Sequence, residues 1–180
     1  MLCACGYAIM REIEGAPFGR SPFRREESEV KVIFICHGNI CRSPVAEYVF
    51  ADLARKSGLS DSLEISSAAV SREEIGNDVY PPAKRELLAH GIPCPPHAAH
   101  EITPSEIAES DYLLCMDERN LRRIARISPL AVGKARLLGE YGLQGKEIED
   151  PWYTGRFSFV YDEIASCCAL LLQEIKEKLG

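Results

Sequence analysis

The stretch Cys36-His37-Gly38-Asn39-Ile40-Cys41-Arg42-Ser43-Pro44 gathers in one short turn the groups needed to hold an anion and attack it. Cys36 supplies a thiol, which is nucleophilic as the thiolate, the form favoured beside helix N-termini and cations. Gly38 and Asn39 are the residue types that most readily take left-handed backbone angles, so successive N–H groups around them can converge on one point. Arg42 can close this cup and bind two phosphate oxygens side by side. The Ser43 hydroxyl is placed to donate to the Cys36 sulfur and later to steady it as a leaving group. A lone cysteine at a strand end is ordinarily just a buried small residue. Cys-x5-Arg-Ser with Gly and Asn inside it is a different case: it reads as a nucleophile facing a bound phosphoryl group. His37, Gly38, Asn39, Ile40, Cys41 and Ser43 are therefore expected to surround the anion.

Releasing an aryl alcohol from phosphate also needs a proton donor, because phenol has a pKa of about 10 and phenolate leaves poorly at neutral pH. Asp150-Pro151-Trp152-Tyr153 offers a carboxyl for this. Pro151 restricts Asp150 to an extended conformation, and Trp152 and Tyr153 can wall a flat substrate ring. Cys41, inside the anion loop, is a second thiol that can trap an oxidised Cys36 as a disulfide before irreversible oxidation. That bond requires the two Cα atoms to lie within roughly 4.4–6.8 Å.

These groups need a frame, and the surrounding pattern supplies one. Val30 to Ile35 is a β-branched run of the kind that forms a buried central strand. Pro44 then stands where a first helical residue is tolerated. Val45, Tyr48, Val49, Leu53 and Ala54 recur at spacings of three and four, predicting an amphipathic helix from Pro44 to about Ser57. Leu63 to Ala68 reads as a short strand, Pro82 to His90 as a helix stopped by Gly91 and Pro93, and Tyr112 to Met116 as another buried strand. Asp117 can cap a helix running through Arg126. Ala135 to Leu138 reads as the last strand, and a loop runs on to Asp150. Val160, Ile164, Cys167, Cys168, Leu171, Leu172, Ile175 and Leu179 trace the apolar stripe of a closing helix. Strands alternating with helices imply an α/β fold: a single-domain three-layer sandwich, its four-stranded parallel sheet covered by helices on both faces. The anion loop then falls between the first strand and first helix, at the carboxyl end of the strand, where such sheets bind ligands.

Composition narrows the classes of function. Of 180 residues, 46% are hydrophobic and 27% charged, the balance of an ordinary globular domain. Residues 1–29 differ: Gly15, Pro17, Gly19 and Pro22 punctuate them and no period persists, so they read as a poorly ordered extension before a domain at 30–180. A net charge of −6 argues against a general nucleic-acid partner. No apolar run approaches the ~18 residues needed to cross a membrane, and no cationic segment precedes the apolar start, as an export signal would require. Eight cysteines without a regular framework, Cys167-Cys168 adjacent among them, read as free thiols in a reducing cytoplasmic setting. His97 and His100 have the spacing of a metal pair but no carboxylate or cysteine partner nearby, and read as solvated loop histidines. Arg119, Arg122, Arg123 and Arg126 read as a solvated basic helix face.

From about Val30 to Gly180 the chain resembles the low-molecular-weight protein tyrosine phosphatases. The resemblance is carried by the segment 36–44 with Ala46-Glu47, then Ser67-Ala68-Ala69, His90-Gly91-Ile92, Leu114-Cys115-Met116-Asp117-Glu118 and Asp150-Pro151-Trp152-Tyr153, in order and at the expected spacing. It implies that Cys36 forms a phosphocysteine, that Arg42 binds phosphate, and that Asp150 serves as general acid and then as base for the hydrolytic water. It implies that Asn39, Ser43, Ser67 and His90 form a hydrogen-bond network around the loop, with Asp117 also in support. The partners implied are proteins that contain phosphotyrosine, and neither metal nor cofactor is implied.

Some positions depart from the family pattern. His37 stands where members commonly carry a small or apolar residue, and Glu73 where some carry a wall aromatic. Ile40 fits phosphotyrosine, whereas phosphoarginine phosphatases resemble a Thr-bearing version of this loop. A thioredoxin-linked arsenate reductase of the same fold needs relay cysteines; Cys115 is present, but the position seven residues on is Arg122. A catalytically silent phosphate-binding module would be expected to have lost Cys36 or Asp150, and both are present.

Overall fold

A computed structural model describes residues 29–179, so the extension expected over 1–29 lies almost wholly outside the described residues. β1 (Val30–Cys36) pairs in parallel with β2 (Leu63–Ala69) on one side and β3 (Tyr112–Cys115) on the other, and β4 (Ala135–Leu137) adds to β3. The order is therefore β2-β1-β3-β4; all four strands are parallel, as the alternating pattern predicts, while their order is set by the pairing. The chain crosses from β1 to one side and then back to the other. A crevice opens beyond the carboxyl ends of β1 and β3, the place where such sheets receive ligands.

Alternate residues of the central strands face two apolar layers. Val32, Phe34 and Cys36 join Leu114 and Met116 under α1 (Arg42–Lys56), α2 (Pro81–Ala89) and the closing helix, whose inner face runs from Val160 to Ile175. Phe34 meets Phe50 of α1 edge to face at 5.5 Å. Ile33 and Ile35 face the opposite layer with Leu113 and Cys115, against Ile107 of α3 (Pro104–Glu109) and Ile124 of α4 (Glu118–Ile127). The four-residue α5 (Pro151–Thr154) and long α6 (Phe157–Leu179) complete the chain.

Several boundaries differ from the sequence reading. α1 begins at Arg42, not Pro44, which places Pro44 third in the helix, where its missing N–H is one that no intrahelical acceptor would have met. α3 was not predicted; only six residues long, it has too few turns to show a period, but Thr103 and Glu106 form a reciprocal capping box. α6 starts three residues earlier than its apolar stripe, and Leu179 at its end is exposed.

Gly139 governs the approach to Asp150. A Cβ at this position would lie 1.8 Å from the Lys146 carbonyl oxygen, and the Gly139 carbonyl accepts from the N–H groups of Leu143 and Gly145, each at 3.0 Å. This tight turn returns the chain so that the Ile148 N–H donates to the Met116 carbonyl at 2.8 Å, beside the end of β3. Gly139→Ala is expected to destabilise the protein by roughly 1–3 kcal/mol, the usual cost of forced overpacking. Urea unfolding midpoints measure this; an unchanged midpoint would show that the turn relaxes freely.

Candidate active site

β1 delivers Cys36 to the base of the crevice, and the chain then wraps around its sulfur before entering α1. Cys36 is buried, the Asn39 N–H donates to its Sγ at 3.2 Å, and the Ser43 hydroxyl lies 3.0 Å from it. Asn39 has φ of 58°, in the left-handed region, and is fully buried. Its Nδ2 donates to Ser43 Oγ at 3.0 Å and to Ser67 Oγ at 2.8 Å. With one lone pair of Ser43 so engaged, its hydroxyl proton is best directed at the sulfur, because its alternative acceptor, Ala68 O, is at 3.5 Å. Cys41, at the N-cap of α1, makes no side-chain cap, and the first turn holds no acidic residue. The N–H groups of that turn and the helix dipole are thus left for an anion.

Arg42 is 3% exposed and is held by two carboxylates. Its Nη1 donates to Asp117 Oδ2 at 2.8 Å and to the Ile148 carbonyl at 3.0 Å, while Nη2 donates to Asp150 Oδ2 at 2.7 Å. Burial alone would lower the pKa of this guanidinium; Cys36, Asp150 and Asp117 outweigh that and raise it, so Arg42 stays charged. Asp117 also caps α4 through the Asn120 N–H at 2.8 Å, which anchors Arg42 to the end of β3. Asp150 caps α5, accepting from the Trp152 N–H at 3.1 Å.

The resulting cleft has a volume of about 220 Å³. Cys36, Gly38, Ile40, Cys41 and Arg42 form its base, Asp150, Trp152 and Tyr153 one wall, and His37, Glu73 and Glu74 the other. His37 Nε2 meets Glu73 Oε2 at 3.0 Å, so the acidic side of the rim carries an ion pair when His37 is protonated. Gly38 has a definite reason to be glycine: a Cβ there would come within 2.9 Å of Glu74 Cγ. A second depression, about 780 Å³, lies along β3 and β4 beside Tyr112, Lys134 and Lys178, apart from these groups. Among the described residues, no three His, Cys, Asp or Glu side chains cluster as a metal site would require.

The structure thus brings Cys36, Asn39, Ser43, Ser67, Arg42, Asp117 and Asp150 together, but not His90. That residue is exposed, bonds through Nδ1 to the Glu86 carbonyl at 2.9 Å and stacks on Tyr161 at 3.8 Å, because it ends α2 on the face turned toward α6. The histidines in contact with the loop are those expected to be solvated: His97 Nε2 lies 2.8 Å from the Asn39 carbonyl, and the His100 N–H donates to Asn39 Oδ1 at 3.3 Å. No sequence spacing could have indicated this contact across 58 positions. Glu47 also joins the network: it follows Ser43 by four residues, which puts both on one face of α1. Its Oε2 accepts from the Ser67 hydroxyl at 2.5 Å, extending the network to a carboxyl behind the loop.

Comparison with known proteins places the chain in a family. Residues 31–180 match the family model of the low molecular weight phosphotyrosine protein phosphatases. The low molecular weight phosphotyrosine protein phosphatase of Homo sapiens is 42% identical over 155 residues, covering 83% of this chain and 98% of the relative. The Bacillus subtilis low molecular weight protein-tyrosine-phosphatase YfkJ is 33% identical over 83% of this chain and 97% of its own. The crystal structure of YfkJ superposes with a TM-score of 0.81 at 31% identity, over 85% of this chain and 98% of that one. The fold and cleft define an enzyme of the protein-tyrosine phosphatase class. Within that class, the chain belongs to the low molecular weight phosphotyrosine protein phosphatase family.

Burial of Glu47 raises its pKa above the usual carboxyl value, and the Ser67 hydrogen bond only partly opposes this. A carboxyl raised on folding binds its proton more tightly in the folded state. Its contribution to stability is therefore full at low pH and is lost as pH rises from about 4.5, the unfolded value, through the folded pKa. Glu47→Gln keeps an acceptor for Ser67 and removes the buried charge. It is expected to flatten this fall and to be at least as stable as wild type at pH 7, as thermal unfolding at several pH values would show.

Proposed function

We propose that this chain hydrolyses phosphotyrosine in proteins by a two-step phosphoryl transfer through Cys36. The observation that carries the reading is the Cys36 sulfur held between the Asn39 N–H and the Ser43 hydroxyl, in one cleft with the Arg42 guanidinium and the Asp150 carboxyl. Phosphate oxygens take the loop N–H groups and the Nη2 side of Arg42, while Asp117 and Ile148 retain Nη1. The sulfur attacks phosphorus as the P–O(aryl) bond breaks, and the phenol oxygen leaves with the proton of Asp150. Asp150, now a carboxylate, takes a proton from water, whose oxygen attacks the phosphocysteine. The sulfur departs with its charge steadied by Ser43, and inorganic phosphate is released. Trp152 and Tyr153, half or more exposed at the rim, suit a flat aryl group presented by a protein surface.

The related chemistries are less well supported. Cys115 is fully buried in the opposite core layer with Ile33 and Ile35 and does not line the cleft, which suits a packed residue and not a relay thiol. Ile40 in the loop favours an aryl substrate over phosphoarginine. Cys41 is a better candidate for an accessory role. It is buried beside Cys36, with its thiol pKa also raised, first by burial and then by Cys36. Peroxide oxidation of Cys36 to the sulfenic acid, followed by condensation with the Cys41 thiol and loss of water, gives a disulfide that a thiol reductant reverses.

Steady-state hydrolysis of phosphotyrosine, phosphoserine and phosphoarginine peptides side by side in EDTA tests the substrate class, with turnover expected for phosphotyrosine. Cys36→Ser should abolish turnover and still bind vanadate; appreciable residual hydrolysis removes Cys36 from the nucleophile's role. Asp150→Ala should slow aryl-phosphate hydrolysis by ~10²–10⁴, with a smaller loss as the phenol becomes more acidic. The comparison is made on kcat/KM, which reports the steps up to phenol release; an equal loss there for nitrophenyl and tyrosyl phosphates would mean that Asp150 does not donate that proton. After peroxide, Cys41→Ser should recover less activity on reduction than wild type; equal recovery rules out the protective disulfide.

A further inference from the structure

We infer that Tyr80 is a positioning residue of this site: its ring fixes Trp152, and through Trp152 the Asp150 carboxyl, against the anion loop. The inference rests on the phosphatase reading above and adds a residue to it. Tyr80 stands immediately before Pro81-Pro82 at the start of α2. A residue before proline is confined to extended angles, and Tyr80 has φ −56° and ψ 131°. Its backbone, and hence the direction of its ring, is therefore set locally. Its N–H donates to the Ile40 carbonyl at 2.8 Å, which ties that backbone to the anion loop.

The ring then reaches the opposite wall. Its centroid lies 4.7 Å from that of Trp152 at an interplanar angle of 51°, and 5.9 Å from Phe157 at 41°. Both distances are those of paired aromatic rings. Tyr80 and Phe157 also pack on the small buried cluster of Ile40, Cys41 and Ala99. Trp152 in turn holds the acid: its N–H donates to Asp150 Oδ1, while Arg42 holds Oδ2. A helix of four residues such as α5 has no stability of its own, so the place of Trp152 depends on what its ring touches. Tyr80 thus joins the loop that binds phosphate, through its backbone, to the segment that carries the proton, through its ring. Holding an exposed wall in one pose before substrate arrives removes a positional cost from the reaction.

Tyr80→Ala separates these two connections, because it deletes the ring and leaves the backbone contact to Ile40. Trp152 is the sole tryptophan, so its fluorescence reports the wall directly. In the full-length Tyr80→Ala protein, Trp152 emission should shift to longer wavelength and acrylamide should quench it more strongly. The kcat/KM for phenyl phosphate should fall roughly 10- to 100-fold, the scale of a misplaced catalytic group, with a smaller loss for nitrophenyl phosphate. Inhibition by inorganic phosphate should stay at its wild-type value, and Tyr80→Phe should restore both fluorescence and kcat/KM. Unaltered fluorescence, an equal loss for all phenols, weakened phosphate inhibition or failure of Phe to rescue would each overturn the role. If Tyr80→Ala does not fold, Tyr80→Leu, which keeps apolar bulk over Ile40, makes the same comparison. A wild-type protein inactive on every aryl phosphate would overturn the phosphatase reading and the catalytic part of this one with it. An active wild type beside an unaltered Tyr80 variant would overturn the Tyr80 role alone.

Discussion

Asn39 must stay in a left-handed backbone conformation for the anion loop to exist. That conformation costs a non-glycine residue of order 1–2 kcal/mol, and it turns the Asn39 N–H onto the Cys36 sulfur. The surrounding structure offsets this cost by meeting the polar groups of Asn39. Its amide nitrogen reaches Ser43 and Ser67, its amide oxygen takes the His100 N–H, and its carbonyl meets His97. Glycine would adopt the angle more easily but would lose every side-chain bond, leaving the two serine hydroxyls without their donor. The choice of asparagine thus couples backbone shape to the hydrogen bond that Ser43 makes with the Cys36 sulfur.

The charges around this loop follow from the same need. A buried guanidinium without partners would be very costly, and Arg42 has two carboxylates and a carbonyl. The two acids divide the work by their connections. Asp117 is tied to the start of α4 and gives Arg42 a fixed anchor, whereas Asp150 sits on a four-residue helix at the rim and is the more exposed of the two. In the proposed reaction an arriving phosphate competes with Asp150 for Arg42 and leaves the Asp117 contact in place. The arginine is then oriented before the anion binds, and the carboxyl proposed to exchange a proton is the one whose partner can be displaced.

Most of the frame was legible in the sequence, because burial on both faces of β1 demands an apolar, largely β-branched run, met from Val32 to Ile35, and α1 and α6 are long enough to show their period. α3 escaped because six residues hide a period, although its capping residues stood in view. In the site, local features could be read and distant ones could not. Cys36, Arg42 and Ser43 lie within one turn, and the proline after Asp150 marks its loop. The contact of His97 with Asn39 depends on the path of residues 93–100 behind the loop, and no spacing encodes it. Resemblance to a motif implies that His90 joins the network, yet its position at the end of α2 points it at Tyr161. Glu47 was hidden differently: a charged residue on an amphipathic helix reads as solvent-facing, but this one bonds inward to Ser67.

The cleft joins two parts with opposite physical character. Its base is buried and hydrogen-bonded throughout, and among the described residues no buried side-chain nitrogen or oxygen lacks a partner. Such a network has little freedom to adjust, which suits a group that must bind one invariant anion. Its rim is exposed: Trp152 at 51%, Tyr153 at 82%, and the Glu73 side chain paired with His37 in reach of solvent. Exposed ion pairs contribute little to stability, so His37 and Glu73 can change with little consequence for the fold. In the proposed function the residue types at the rim respond to the surface that carries the phosphate, while the base responds only to the phosphate itself. His37 and Glu73 lie on the rim, whereas the groups that contact the Cys36 sulfur, the Asn39 N–H and the Ser43 hydroxyl, lie in the base.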